Sequence, residues 1–242
     1  MSDTVVITGA SQGIGLATAQ LLASQGYIVV GIARSRPKEA FPGDFYTADL
    51  SSVDETTQVL ESILHAHKVD GVVNNLGLNI VEPIGAVELE HLMRVLDLNL
   101  RATVQVTQAF LPGMLDRRYG RIVNISSRGA LGRPGRTSYG AAKAGIVGMT
   151  RTWAIELAKH GITANVVSPG PTATEMFRRN NLTGPGAKER ERAFLADVPM
   201  GRFGEPEEIA FGIAFFLDRR ASFVTGQLLH VCGGSTAGPA PL

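Results

Sequence analysis

Short apolar runs rich in β-branched residues recur along the chain, separated by polar or glycine-containing segments. They are TVVIT (4–8), YIVVGI (27–32), VDGVVN (69–74), RIVNIS (121–126), ITANVVS (162–168) and LLHV (228–231). Runs of this length and composition are typical of β-strands that are buried on both faces. We therefore predict a sheet whose strands are spread over the whole chain.

Segments of helical length lie between most of these runs. We predict helices over residues 13–25, 53–66, 94–117, 138–160 and 206–217. Because buried strands that alternate with helices form parallel sheets covered on both faces, the pattern favours a doubly wound, Rossmann-type α/β fold. The 242 residues suit a single domain of this class, which we place over residues 1–242.

One long segment, about residues 172–200, does not fit the alternation. It is polar and basic, and Gly-Pro-Gly interrupts it at 184–186. In open parallel sheets, ligands bind beyond the carboxyl ends of the strands, and this segment follows the run at 162–168. We predict that it is a lid over a substrate.

Composition narrows the class of partner without naming one. The chain has 23 basic and 22 acidic residues and is 44% hydrophobic, so its net charge does not favour nucleic acid or an anionic membrane. No stretch approaches the roughly 20 apolar residues of a membrane span. Strand-like sequence begins at once, without the pattern of a signal peptide, and Cys232 is the one cysteine. We expect a cytoplasmic protein.

A glycine-rich turn, ITGASQGIG (7–15), joins the first predicted strand to the first helix. Gly9, Gly13 and Gly15 let the backbone approach a ligand closely, and the free N–H groups of the helix start favour a diphosphate. The spacing differs from G-x-G-x-x-G, so a turn without a ligand is the alternative interpretation.

The end of the second strand indicates which dinucleotide would bind. A carboxylate there would bind the ribose hydroxyls of NAD, but the sequence GIARSRP places Ala33, Arg34 and Arg36 at this point. Guanidinium groups fit a 2′-phosphate, so we predict NADP(H), with NAD(H) still open. Alternatively, the arginines are ordinary solvated charges, and Gln12 lacks the positive charge that would bind the same phosphate.

SYGAAKAG (138–145) places Tyr139 and Lys143 four residues apart on one helix face, among small neighbours. A nearby ammonium lowers the pKa of a phenol, so the pair is a candidate acid/base catalyst. A packing pair with a solvent-reaching lysine is the alternative. Ser126 and Ser127 end the preceding strand, where a hydroxyl would bind a substrate carbonyl or cap a turn.

Taken together, the motifs resemble the classical short-chain dehydrogenase/reductase family over essentially the whole chain. The matching stretches, in order, are TGASQGIG (8–15), ADL (48–50), NNLG (74–77), LNL (98–100), NISS (124–127), YGAAK (139–143), SPGPTAT (168–174) and VTGQLLHVCGG (224–234). Any one is weak, but their order and spacing are specific.

The resemblance implies a catalytic tetrad. Tyr139 would exchange the proton, and Lys143 would lower its pKa and bind the nicotinamide ribose. Ser127 would orient the carbonyl, and Asn99 would hold a water that links Lys143 to solvent. Ser126 is the fallback for Ser127, which precedes Tyr139 by 12 positions, one fewer than in many members.

The resemblance also implies a cofactor site. Asp49 would contact adenine, Asn74 and Gly77 would line the cofactor channel, and Thr172 or Thr174 would touch the carboxamide or diphosphate. The full set of cofactor-binding residues is Gly9, Ser11, Gln12, Gly13, Ile14, Gly15, Arg34, Asp49, Leu50, Asn75, Gly77, Tyr139, Lys143, Pro169, Gly170, Thr172 and Thr174.

Two positions depart from the family pattern. Leu76 replaces the alanine of NNAG, and it would narrow the site or fill core. Cys232 replaces an aspartate, and we expect it to be a packing residue. The five histidines, at 65, 67, 91, 160 and 230, show no metal-ligand spacing.

The implied activity is hydride transfer between NADP(H) and a ketone or secondary alcohol, and the pattern is most similar to 3-oxoacyl-(acyl carrier protein) reductases. Arg118 and Arg178 would dock the acidic carrier, or would be ordinary solubilising charges. Other small ketones, a non-catalytic nucleotide sensor and an epimerase or dehydratase are the alternatives, although the last would need a larger substrate domain. Family members usually pair through helices corresponding to 94–117 and 138–160, so we expect a homodimer or homotetramer.

Overall fold

A seven-stranded sheet forms the centre of the computed structural model, which describes residues 2–237. Every adjacent pair of strands is parallel, and the order is β3-β2-β1-β4-β5-β6-β7. This order confirms the doubly wound fold. The strands are β1 (Thr4–Thr8), β2 (Ile28–Ala33), β3 (Asp44–Thr47), β4 (Gly71–Asn74), β5 (Gly120–Ile125), β6 (Ile162–Pro169) and β7 (Leu228–Val231).

Helices cover both faces of this sheet. Over residues 2–237 the α-helices are α1 (Gly13–Ser24), α2 (Val53–Ala66), α3 (Leu89–Leu96), α4 (Ala102–Arg117), α5 (Thr137–Leu157), α6 (Glu175–Asn181), α7 (Ala187–Ala196) and α8 (Pro206–Leu217). None of them combines the length and apolar character needed to cross a membrane. The domain predicted over residues 1–242 includes Met1 and residues 238–242, which lie outside the described part.

Alternation along the strands divides the apolar side chains between two cores. Val6 of β1 packs with α2, α4 and α5 on one face of the sheet. Its neighbours Val5 and Ile7 pack with α1 and α8 on the other face. Because successive strand residues point to opposite faces, a strand covered on both sides must be apolar throughout. This requirement explains why the strands could be recognised as continuous apolar runs.

Strand β3 was missed by the sequence analysis. It is a four-residue strand at the edge of the sheet, and Phe45 is its one buried side chain. Phe45 packs edge-to-face against Phe41, with 5.0 Å between ring centroids. Gly31 of β2 lies opposite Phe45 in the strand pair, and a Cβ at position 31 would lie 2.6 Å from the Phe41 ring. The packing of Phe41 and Phe45 therefore requires glycine at position 31.

The predicted helices agree with the structure except at 94–117. Helix α3 begins at Leu89, five residues before the predicted start at 94, and this first residue is exposed. A π-helical turn, Asp97–Arg101, then joins α3 to α4. One helical segment thus runs from Leu89 to Arg117 with a change of pitch in its middle.

The segment at 172–200 is more ordered than its composition indicates, since it contains α6 and α7. Three phenylalanines hold it together: Phe177 packs edge-to-face on Phe194 (4.9 Å between centroids) and on Phe203 (5.2 Å). Gly186 has a φ of 74° and turns the chain between the two helices. Aromatic contacts between residues distant in sequence therefore organise this segment, which we call the cover (residues 172–200).

Candidate active site

The predicted site residues converge on one edge of the sheet. Parallel strands carry their following loops to the same edge, and here the loops after β1, β4, β5 and β6 meet. The strand order reverses between β1 and β4, which is the position where open α/β sheets form a crevice. The fold alone therefore places the candidate site next to the glycine-rich turn.

The glycine-rich turn is braced from β4. Gly9 and Gly13 have φ values of 67° and 54°, which only glycine adopts without strain. A Cβ on Gly15 would lie 2.3 Å from the carbonyl oxygen of Gly9, so the turn closes tightly on itself. Asn75 Nδ2 donates to the carbonyl oxygens of Thr8 (3.0 Å) and Gly9 (3.2 Å). The turn is thus a rigid backbone cradle with space for a ligand at the start of α1.

The placement of Asn74 beside a cofactor channel was wrong. Its Nδ2 donates to Thr107 Oγ1 (2.9 Å) and to Asn124 Oδ1 (2.8 Å), and Asn124 Nδ2 donates to Thr150 Oγ1 (2.8 Å). These buried bonds tie β4 and β5 to α4 and α5. Asn74 points into the helical layer, and its neighbour Asn75 reaches the glycine-rich turn.

The end of β2 carries the predicted phosphate-binding arginines. Arg34 is exposed just after the buried Ala33 and takes part in none of the ion pairs within residues 2–237. Arg36 instead donates to the carbonyl oxygen of Phe45 (3.4 Å) and lies over its ring. Hydrogen bonds from Ser51, together with the charge of Arg34, lower the pKa of Asp49. Arg34 is the arginine that is free to bind a ligand.

Tyr139 and Lys143 share one face of α5, and Lys143 is deeply buried. Its Nζ donates to the carbonyl oxygen of Ile125 (2.8 Å) and lies 5.7 Å from the centroid of the Tyr139 ring. Burial lowers the pKa of Lys143 to about 7. The small neighbours allow close packing, because a Cβ on Gly145 would lie 3.3 Å from Leu100.

The two serines after β5 have different surroundings. Ser126 is buried and donates to the carbonyl oxygen of Lys143 (2.8 Å), so its hydroxyl holds α5 against β5. Ser127 Oγ accepts from the Gly129 N–H (3.0 Å), and its hydroxyl lies close enough to Tyr139 to act on the pKa of the phenol. Burial raises the pKa of Tyr139, while the Ser127 hydroxyl and the charge of Arg136 oppose that rise. Ser127 is therefore the serine that faces Tyr139.

Asn99 lies in the π-helical turn and is fully buried. Its Nδ2 donates to the carbonyl oxygens of Leu78 (2.9 Å) and Val95 (2.8 Å), while Oδ1 has no partner within residues 2–237. A Cβ on Gly77 would lie 3.0 Å from that Oδ1 and 3.2 Å from Lys143 Nζ. Only glycine at position 77 leaves both polar atoms uncovered. π turns occur frequently at functional sites, and this one aims Asn99 at the lysine.

The loop after β6 brings the start of the cover to the glycine-rich turn. Thr174 caps α6 by accepting from Phe177 N–H (3.1 Å), and a Cβ on Gly13 would lie 3.2 Å from its methyl group. Thr172 is buried and donates to the carbonyl oxygen of Gly170 (3.0 Å). Of the two threonines, Thr174 is the one that faces the turn.

The remaining predicted residues surround these groups. Leu76 packs against the core of α2, α4 and α5, so it fills space there. Cys232 is half-buried with Sγ 3.3 Å from Thr236 Oγ1, and its backbone packs on Gly170. The others are the half-buried Ser11 and Ile14, the exposed Gln12, and the buried Leu50 and Pro169.

Arg136 was missed by the sequence analysis. It immediately precedes α5, is 9% exposed, and its charge acts on Tyr139. Its neighbours Asn79 and Asn181 come from segments far away in sequence. The one available signal was three arginines in the loop RGALGRPGRT (128–137).

The predicted carrier-docking arginines lie far apart. Arg178 is exposed on α6, at the edge of the sheet that holds Tyr139. Arg118 ends α4 and donates to the carbonyl oxygen of Lys159, just past the far end of α5. The 21 residues of α5 span roughly 30 Å at 1.5 Å per residue. Arg118 therefore lies at the opposite edge of the sheet from the candidate site.

Glu82, Glu88 and His91 form a surface cluster that sequence spacing did not predict, with ligand atoms within 4.8 Å of one another. His91 Nδ1 lies 2.6 Å from Glu82 Oε1, and this hydrogen bond raises the pKa of His91. The histidine–carboxylate pair accounts for the arrangement without a metal ion.

Comparison with known proteins defines the class. Residues 9–236 match the family model described as enoyl-(acyl carrier protein) reductase. A solved structure of a short-chain dehydrogenase/reductase family protein is 34% identical, covers 98% of both chains and superposes with a TM-score of 0.86. The chain belongs to the short-chain dehydrogenase/reductase family and is an oxidoreductase.

Individual relatives give more particular names. The 3-oxoacyl-(acyl-carrier-protein) reductase FabG of Thermotoga maritima is 38% identical over 241 residues, covering 95% of this chain and 96% of the relative. FabG of Vibrio cholerae is 36% identical over 238 residues, with 95% of each covered. A Beutenbergia cavernae protein, provisionally described as an NAD(P)-dependent gluconate 5-dehydrogenase and crystallised with NADP at low occupancy, is 31% identical with a TM-score of 0.91, covering 98% of this chain and 97% of that one.

Proposed function

We propose that this protein is an NADP(H)-dependent carbonyl reductase, with 3-oxoacyl thioesters as the substrate class to test first. The observation that carries the proposal is the convergence of Asn99, Ser127, Tyr139 and Lys143 beside the glycine-rich turn. The FabG relatives favour the thioester, and the bound NADP of a structural neighbour favours the cofactor.

The chain offers a fitting cradle for the dinucleotide. The N–H groups of the turn formed by Gly9, Gly13 and Gly15 would hold the diphosphate, and Thr174 would contact it from the cover. Arg34 would bind the 2′-phosphate, since its guanidinium is exposed and forms none of the ion pairs within residues 2–237. Asp49 lies beside Arg34, where the adenine end is expected. When bound, the nicotinamide supplies or accepts the hydride.

Tyr139 and Ser127 handle the substrate oxygen. Ser127 Oγ accepts from the Gly129 N–H, so its own O–H is free to donate to a carbonyl oxygen. During reduction the Tyr139 hydroxyl gives its proton to that oxygen as the hydride reaches the carbonyl carbon. Oxidation of an alcohol reverses both transfers.

Lys143 replaces the proton that Tyr139 gives up. With a pKa of about 7, its ammonium both donates and regains a proton near neutral pH. Asn99 Oδ1 faces Lys143 across Gly77, and a water held there would link the ammonium to solvent. The cover closes over this assembly, and Thr174 at its start couples closure to the cofactor.

The test is NADPH consumption with acetoacetyl thioesters and a panel of simple ketones, with Tyr139→Phe assayed in parallel. We expect turnover on the thioester and a loss of at least about 100-fold in kcat for the variant, because general acid catalysis contributes roughly 10²–10⁴-fold. Turnover confined to other ketones would reject the thioester and keep the mechanism. Tight NADPH binding with no turnover on any substrate would support the nucleotide sensor instead.

A further inference from the structure

Arg136 is a buried cation beside Tyr139. Its charge interacts with that of Tyr139, and its guanidinium takes part in none of the ion pairs within residues 2–237. Burial lowers the pKa of its guanidinium, and the facing Tyr139 opposes this. Buried charges in proteins are normally paired, so a single unpaired arginine in a substrate site points to an anionic ligand.

The guanidinium is held in place by two amide oxygens. Nη1 donates to Asn79 Oδ1 (2.9 Å), from the loop after β4, and Nη2 donates to Asn181 Oδ1 (2.7 Å), at the end of α6 in the cover. Neutral acceptors orient the guanidinium without cancelling its charge, and a guanidinium carries five N–H donors. Donors therefore remain for a substrate group, and closure of the cover through Asn181 is coupled to the arginine.

Two further arginines make the same wall positive. Arg128 is 3.7 Å from Asp197, and Arg133 lies over the Phe194 ring at 3.7 Å. The charges of Arg128 and Arg136 add to burial in lowering the pKa of Arg133. Asp197 is thus the one carboxylate that acts on Arg128 and Arg133 within residues 2–237, and Arg136 pairs with none there, which favours an anion at this wall over a neutral group.

We propose that Arg136 binds the carboxylate of small 3-oxo acids, so that the protein reduces the free acids in addition to thioesters. Arg136 directly precedes α5, three residues before Tyr139, and the two side chains are close enough for their charges to interact. A 3-oxo acid carries its carboxylate one carbon from the ketone, which would let one small substrate bind both groups. The proposal rests on the reductase function proposed above, since Tyr139 performs the same proton transfer.

The first test compares acetoacetate with methyl acetoacetate, which has the same ketone but no charge. We expect the wild type to prefer the acid by roughly 10- to 100-fold in kcat/KM, the value of a charge-assisted hydrogen bond. Arg136→Gln is expected to bring the acid-to-ester ratio close to one, and Arg136→Lys to restore part of it. Arg151→Gln is the matched control, because it removes the same charge from an exposed position on α5 and leaves the ratio unchanged.

The ratio separates substrate binding from an effect on Tyr139. Loss of the Arg136 charge also raises the Tyr139 pKa and shifts the pH profile, but this acts on acid and ester alike. An acid-to-ester ratio equal in wild type and Arg136→Gln would overturn the proposal. If the wild type reduced neither compound, the reductase function would be at fault, so a binding measurement is made in parallel.

That measurement uses ligands without a ketone. Butyrate and butyramide are titrated into the NADPH-loaded protein by calorimetry. We expect butyrate to bind at least about tenfold more tightly than butyramide, and to lose that advantage in Arg136→Gln. Equal binding of the two ligands to the wild type would reject the carboxylate site whatever the catalytic result.

Discussion

Single side chains at the candidate site depend on partners that lie far away in sequence. Ser126 and Ser127 are neighbours, yet one hydroxyl bonds the backbone of α5 and the other faces Tyr139. The expectation that Lys143 lowers the Tyr139 pKa also changes at this scale. Ser127 and Arg136 oppose the rise in the Tyr139 pKa that burial causes, while burial lowers the pKa of Lys143 itself to about 7. A lysine with a pKa of about 7 can exchange its proton near neutral pH, so it acts as a proton relay and not as a fixed positive charge.

Lys143 gives a testable dependence of stability on pH. Below about pH 7 the folded protein buries a charged ammonium, whereas between about pH 7 and 10 the folded lysine is neutral and the unfolded lysine remains protonated. The unfolded state then binds more protons, so stability rises with pH across this window. Without cofactor, we expect the free energy of unfolding of the wild type to rise between pH 7 and 9 by about 2–3 kcal/mol more than that of Lys143→Met.

Denaturant unfolding of both proteins at several pH values measures this difference. The variant removes the titrating group and serves as the reference for every other ionisable residue. A difference that stays constant with pH would mean that Lys143 keeps its proton when buried.

Arg34 gives the second residue-scale prediction. Arg34→Ala is expected to weaken NADPH binding by roughly 10- to 100-fold, because a charge-assisted bond to the phosphate is lost. NADH binding should hardly change. Arg36→Ala, two positions away, is the control, since Arg36 is engaged with Phe45. Equal NADPH affinity of the wild type and Arg34→Ala, measured by fluorescence titration, would remove the 2′-phosphate assignment.

At the scale of elements, the predictable features are those in which local pattern and tertiary burial agree. Five of the six strands that were recognised as apolar runs are buried on both faces, and the sixth, β7, is half-buried but keeps an apolar run, while β3 buries only Phe45 and was missed. The helices of the cover were missed because contacts among Phe177, Phe194 and Phe203 stabilise them. Arg136 was also missed because residues distant in sequence, Asn79 and Asn181, determine its surroundings.

The cover provides the element-scale prediction. Phe177→Ala removes the ring that joins α6 to α7 and to Phe203, so the closed cover loses about 1–3 kcal/mol. We expect KM for the ketone to rise several-fold, with a small change in the melting temperature because the cover lies outside both main cores. Met176→Ala, at the exposed neighbouring position, is the control. A large loss of global stability in Phe177→Ala would show that the cover is part of the folding unit.

At the scale of the whole molecule, the two edges of the sheet carry different features. The catalytic groups, Arg178 and the cover occupy one edge, and Arg118 lies roughly 30 Å away at the other. Exposed apolar side chains at Leu89, Met93 and Ile155 support the proposed assembly of copies through the helices at 89–117 and α5. In such an assembly, Arg118 of a second copy could approach the site.

Carrier docking can be tested on this geometry. We expect Arg178→Glu to lower kcat/KM for a carrier-bound 3-oxoacyl thioester by about tenfold and to leave the small thioester unchanged, because charge complementarity acts on encounter with the acidic carrier. If Arg118→Glu also lowers kcat/KM for the carrier-bound substrate alone, the carrier docks on surfaces from two copies of the chain. If both variants slow the two substrates equally, these arginines do not dock a carrier.

The π-helical turn at Asp97–Arg101 has a consequence for how the sequence can change. A π turn accommodates one residue more than an α-helical turn, so deleting one residue between 97 and 101 would restore regular hydrogen bonding. Because the π turn fits its extra residue into one full turn, the deletion would leave α3 and α4 facing as they do now and would remove only the wide turn that aims Asn99 at Lys143. One added residue therefore serves the proton path of this protein without changing its outer surface.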